Sequence, residues 1–186
     1  MSRWFYAFIR ALIRILLILV PSEEQIRNQI KIAKSVDFSD VFDLVKSTVL
    51  KKFDLHRAGL SLTLQIMPSN LGAYHVLGSN IIVLNKFVLD IIKQSSKTTE
   101  YYNSYLYMVL VHEYLHSFGI TDENAVRQMT YDLCRSLFGE SHISSLLAKD
   151  DPSSLFPQLK DIINRTFYNQ FEVIKNFDKS SLSYIQ

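Results

Sequence analysis

The chain has 186 residues, of which 48% are hydrophobic and 12% aromatic, enough for one domain with a real core, or one domain plus an appendage. Lysine and arginine number 20 against 18 acidic residues, and no basic run stands out beyond the first fourteen positions, which argues against intrinsic disorder and against a nucleic-acid partner. The single cysteine, Cys134, rules out an internal disulfide framework and a Cys-rich zinc cluster, and reads as a small buried apolar residue.

Residues Trp4 to Val20 are almost wholly apolar, broken by Arg10 and Arg14 and ended by Pro21. Counted through both arginines, the run has about 17 residues, the bare minimum for a bilayer span. Arg3, Arg10 and Arg14 share one helical face, as in a helix lying in a membrane interface. A secretory leader fits poorly, because Arg14 interrupts its apolar centre and no Ala-x-Ala follows. Three readings stay open for residues 1–21: a helix in peripheral contact with a membrane, a helix packed on the domain or masking its cleft, and a targeting segment. The chain is accordingly expected in the cytoplasm or at a membrane surface.

Ser22-Glu23-Glu24-Gln25 is a capping box that starts an amphipathic helix. Ser39-Asp40 reads as the start of a second helix. Around Gly59 the period changes: Leu60, Leu62, Leu64 and Ile66 alternate with polar residues, the mark of a half-buried strand. Ala73 to Leu77, Gly78-Ser79-Asn80 and Ile81 to Leu84 read as a β-hairpin. A helix follows from Phe87 to Lys93. Thr98 or Thr99 then caps another that is apolar on nearly every side, so it is expected at the centre of the fold. After Asp122 a further helix carries Val126, Met129, Leu133 and Leu137 as its buried stripe. Asp150-Asp151-Pro152-Ser153 marks a break, and the tail reads as one helix from Pro157 to about Asn176. The expected class is α+β: helix-rich, with a small, mostly antiparallel sheet.

The central helix ends in His112-Glu113-Tyr114-Leu115-His116. Histidines one turn apart project from the same face, as two ligands of a tetrahedral metal must. Glu113 lies about 100° round the helix, where it can reach a metal-bound water without being a ligand. This is the His-Glu-x-x-His pattern of zinc hydrolases. A catalytic zinc takes three protein ligands. Gly119 suits a left-handed turn that ends the helix and brings the chain back, returning either Asp122 or Glu123 to the imidazoles. Asp122 leads by spacing and Glu123 stands close behind. Glu140 and His142, at the far end of the next helix, are poor candidates. Tyr131, His75 and Tyr114 are candidate donors to a developing oxyanion, and the strand Ala73 to Leu77 is a candidate for pairing with an extended peptide.

Val111 to Asp122 resembles the zincin metallopeptidases. The pattern His112-Glu113-x-x-His116-x-x-Gly119-x-x-Asp122 is similar to the long metzincin motif, with Asp where a third His usually stands. That resemblance implies zinc on His112, His116 and Asp122, with Glu113 as general base. The Met-containing turn of metzincins has no counterpart, since the only Met after His116 is Met129, inside a predicted helix. The order of elements from Leu60 to Gly139 is closer to small gluzincin-like archaeal peptidases, in which a glutamate of the following helix binds zinc, favouring Glu123. The expected layout is an apolar helix over 1–21, a zincin-like metallopeptidase domain over 22–150 and a helical extension over 151–186. The expected function is hydrolysis of a peptide or protein substrate by a zinc-activated water. The rival is a non-catalytic or latent zinc-binding protein on the same scaffold, held at a membrane and with a binding or regulatory role.

Overall fold

The structure, a computed structural model, describes residues 4–10, 20–150, 152–159 and 171–180. Residues 4–10 are helical (α1) and expose Trp4 (85%), Tyr6 (58%) and Phe8 (65%) to solvent. Arg3, Arg14 and the rest of the apolar run from 11 to 19 lie outside the described residues. Among the described residues no helix is long and apolar enough to cross a membrane.

Helix α2 (Glu23–Lys34) starts with the expected capping box, in which Ser22 Oγ accepts from the Gln25 N–H and Gln25 Oε1 accepts from the Ser22 N–H at 2.8 Å. Helix α3 (Phe38–Phe53) starts two residues earlier than Ser39-Asp40 suggests. Asp37 is the cap, accepting from the Asp40 N–H at 2.8 Å and from the Ser39 hydroxyl at 2.9 Å. A charged acceptor at this position outcompetes the weaker hydroxyl.

Strands β1 (Ser61–Gln65), β2 (Ala73–His75) and β3 (Ile81–Asn85) are followed by α4 (Lys86–Ser95), α5 (Thr99–His116), α6 (Glu123–Phe138), α7 (Ile143–Lys149) and β4 (Phe171–Ile174). The sheet order is β2-β3-β1-β4. The hairpin is present, with Tyr74 opposite Val83 and His75 opposite Ile82. β1 and β3 are parallel, and β4 is antiparallel to β1. The sheet is thus mixed, and the fold α+β. Leu62 and Leu64 face inward as the alternation requires.

The expected tail helix is wrong for the end of the chain. Phe171 to Ile174 is a strand that completes the edge of β1, Phe177 stacks on Phe42 at 4.1 Å, and Asp178 is buried. Pairing with an open sheet edge overrides the local helical pattern, and Phe-Glu-Val-Ile is well suited to a strand. Residues 171–180 therefore belong to the domain and do not form a separate helical extension; residues 160–170 lie outside the described ones.

Helix α5 is central, packed against α2, α3, α4, α6 and α7. Two of its polar side chains tie it to its neighbours: Asn103 Nδ2 donates to the Ile32 and Ser35 carbonyls at 2.9 and 2.8 Å, and the Tyr107 hydroxyl meets Thr48 Oγ1 at 2.7 Å. The far end of α6 is closed by α2, whose Gln29 amide donates to the Phe138 carbonyl at 2.7 Å. Cys134 is fully buried, as expected.

Candidate metal centre

The centre is built by the turn between α5 and α6. Gly119, with φ +84°, sits in the left-handed region, where a side chain would be strained. Its N–H closes the helix on the His116 carbonyl at 2.9 Å. The chain then reverses and α6 begins at Glu123.

His112, His116 and Glu123 come together. The two Nε2 atoms are 3.1 Å apart, and each lies 3.2 Å from a different oxygen of the Glu123 carboxylate. Three ligand atoms on a tetrahedral zinc at about 2.0–2.1 Å should stand roughly 3.3 Å from one another. With one ligand atom from each residue, the three lie within 4.8 Å of one another, so two imidazoles and a carboxylate form a donor set that can close on a zinc ion. His116 Nδ1 lies 2.7 Å from the Ile120 carbonyl; the Nδ1–H donates there, which leaves the Nε2 lone pair for the centre. Burial, reinforced by the charges of His116 and Arg127, holds His112 below the usual histidine pKa against the pull of Glu123. The neutral imidazole is the form that binds metal.

Asp122 does not share the centre. Its Oδ1 accepts from the backbone N–H groups of Asn124 (2.8 Å) and Ala125 (3.1 Å), so it caps α6. Spacing had put Asp122 ahead of Glu123; the geometry reverses the order, because the N-cap geometry turns the Asp122 carboxylate to the helix end while the next residue faces back across the turn. His142 caps α7 through Nδ1 and meets Glu100 at 3.1 Å, far from this use.

Glu113 is 4% exposed, and its Oε2 is buried without a hydrogen-bond partner among the described residues. Burial, then the charge of Glu123, push its carboxyl up to about 8, with partial relief from the His75 backbone N–H. An unpartnered buried carboxylate oxygen is costly unless something polar or charged completes its surroundings. A cation and its water would do so.

The centre opens onto a cleft of about 970 Å³. Edge strand β2 forms one wall, with Ala73, Tyr74 and His75. Tyr105, Met108 and Val109 continue the ligand-bearing face of α5, and Arg127 and Tyr131 line the α6 side. Of the candidate oxyanion donors, His75 and Tyr131 therefore reach the cleft. Tyr114 does not: it is fully buried, and its hydroxyl accepts from the Arg57 N–H and donates to the Arg57 carbonyl.

Two supporting residues escaped the sequence reading. Arg57 donates from its guanidinium to the Ser117 carbonyl just past His116, and to the Ser79 carbonyl and Asn80 Oδ1 in the β2–β3 turn. It ties the end of the motif helix to the hairpin that walls the cleft. Fully buried Asn85 gathers the 67–71 loop: Oδ1 accepts from Met67 and Phe87 N–H, and Nδ2 donates to the Met67, Pro68 and Leu71 carbonyls. Asn after a strand signals a helix cap in sequence, but nothing local marks the loop it collects; the lone Arg57 carries no signal at all. Comparisons of the chain with protein-family models, with curated proteins and with solved structures return no match.

Proposed function

We propose that this protein is a zinc-dependent metallopeptidase of the zincin kind, acting on a peptide or protein substrate, with His112, His116 and Glu123 as ligands and Glu113 as general base. The observation that carries the reading is the pair of imidazole Nε2 atoms 3.1 Å apart, each 3.2 Å from one oxygen of the Glu123 carboxylate, beside the buried Glu113 carboxyl group with its unused oxygen. When bound, zinc polarises a carbonyl and lowers the pKa of a coordinated water from 15.7 to about 7. Glu113 takes the proton of the attacking water on its carboxylate and returns it to the leaving amine. A structural zinc site has no need of a base in that position, which favours catalysis over the rival reading of a non-catalytic or latent zinc protein. Among the described residues β2 pairs only with β3, and an edge open in this way can hold an extended peptide by strand addition.

The test is metal analysis together with cleavage of a broad peptide library by the zinc-reconstituted protein. One zinc per chain and cleavage that chelation abolishes are expected. Under a tenth of an equivalent of zinc would end the proposal, and zinc without cleavage would move it to the non-catalytic rival.

A second reading concerns place. The exposure of Trp4, Phe5, Tyr6 and Phe8 on α1, in a segment whose only charged side chains are arginines, supports contact with an anionic membrane surface. A chain starting at Ser22 should then keep zinc but lose sedimentation with phosphatidylglycerol-containing vesicles. Equal sedimentation of both chains would remove this reading.

A further inference from the structure

The α6 wall of the cleft carries more than the third ligand. Arg127 follows Glu123 by one helical turn, about 6 Å along the axis, on the same face. It lines the cleft and is exposed. Among the described residues it enters no ion pair or hydrogen bond, whereas Arg135 on the same helix is paired with Asp132 and stacked over Tyr131. Lys149, at the end of α7, also lines the cleft and is likewise without an ion pair among the described residues.

The charge around the cleft has a direction. Glu113 and Glu123 are the two acidic residues at the centre itself, and at most they offset a divalent ion there. Asp150 is the one other acidic residue on the lining, against the two cations Arg127 and Lys149. A cleft with metal bound thus keeps a surplus of positive charge, and the lining cation whose charge acts on His112 is the planar guanidinium of Arg127. Arginine holds a carboxylate through two parallel hydrogen bonds, a geometry lysine lacks.

Resting on the peptidase reading, we infer that Arg127 is a specificity-determining residue that binds a substrate carboxylate close to the scissile bond. One turn of helix, about 6 Å, matches about two residues of extended peptide at roughly 3.3–3.6 Å each, and the reach of the side chain extends that span. The carboxylate is a free C-terminus or an Asp or Glu side chain, and the two sources separate by experiment.

The zinc-loaded protein is given matched peptides in four forms: free or amidated at the C-terminus, and with Asp/Glu or Asn/Gln at each position near the cleavage site. Cleavage is mapped by mass spectrometry, and binding to the zinc-loaded Glu113→Gln protein is measured by fluorescence anisotropy. The wild type should favour the carboxylate-bearing form by about 10–100-fold, the range for a hydrogen-bonded charged group. Arg127→Gln should abolish that preference with zinc content unchanged, and Arg127→Glu should turn it toward Lys-containing peptides. The arm in which the preference lies names the source. Equal handling of carboxylate and amide peptides by wild type, or an unchanged preference in Arg127→Gln, overturns the inference. If wild type cleaves no peptide, the peptidase reading falls by itself; equal binding of the two forms then overturns the Arg127 inference, and an Arg127-dependent difference upholds it.

Discussion

Lys46 of α3 and Asp178 near the end of the chain meet at 2.5 Å, with 10% and 0% of their side chains exposed. The other carboxylate oxygen accepts from the Gly59 and Leu60 N–H groups at 2.9 and 3.2 Å, at the entrance to β1. One acidic side chain thus joins the central helical layer, the start of the sheet and the tail. Asp178→Ala strips the buried Lys46 ammonium of its close partner, leaving it the partly exposed Asp43 at 3.5 Å, and orphans the Gly59 and Leu60 N–H groups, so stability should fall by about 3 kcal/mol. Denaturant unfolding checks this; a loss under 1 kcal/mol would mean the contact is dispensable.

The same carboxylate gives stability a pH dependence. Burial by itself would raise its pKa, but hydrogen bonds from Lys46 and Ser180 more than reverse that, and the group lies below the ordinary Asp value. A group lowered in the folded state stabilises above its unfolded pKa of about 3.9 and loses that contribution as pH falls through the folded value. Below about pH 4, stability of the wild type should therefore fall more steeply than that of Asp178→Asn. Parallel curves for the two proteins would contradict the assignment.

Exchanging the neighbours Asp122 and Glu123 separates a cap from a ligand. Glu123→Ala should sharply weaken zinc binding in a competition titration. Asp122→Ala should keep zinc and cost about 0.5–2 kcal/mol, as loss of an N-cap does. The opposite pattern would restore Asp122 as the ligand.

Glu113→Gln preserves size and hydrogen bonding but cannot accept a proton. Peptide hydrolysis should drop about 10²–10⁴-fold, the usual contribution of a general base, with zinc content unchanged. If both proteins cleave equally with zinc in place, the activity has another source.

Asn85→Ala leaves the Met67 N–H and three carbonyls of the 67–71 loop without their buried partner. Each unsatisfied buried group costs about 1–3 kcal/mol. Either the protein loses several kcal/mol or the loop opens to water. Hydrogen exchange at Met67 should accelerate strongly relative to Leu110; an unchanged rate would show that the loop holds itself.

The parts legible in sequence were those encoded locally. Ser22 and Gln25 make a capping box within four residues, Leu62 and Leu64 alternate within one strand, and His112 and His116 meet because a helix returns every 3.6 residues. The parts missed depend on partners distant in the chain. Nothing near Phe171 says that β1 leaves an edge free, and nothing near Arg57 says that Ser79, Asn80 and Ser117 converge on it. Asp122 and Glu123 differ by a single step around a turn, and which one faces the imidazoles depends on which one caps the helix. Spacing alone does not contain that choice.

The sheet also has a temporal order. The β1–β3 pair and the ligand-bearing turn are complete once Glu123 is made, yet Leu60 awaits Asp178, 118 residues after it in the chain. During synthesis an open β1 edge, carrying Leu62 and Leu64, persists until Phe171–Ile174 emerges, and unpaired edges of this kind invite association with other chains. Ribosome-released fragments that stop short of Phe171 should therefore aggregate even with the metal ligands complete, and refolding yield should depend on chain concentration more than on zinc.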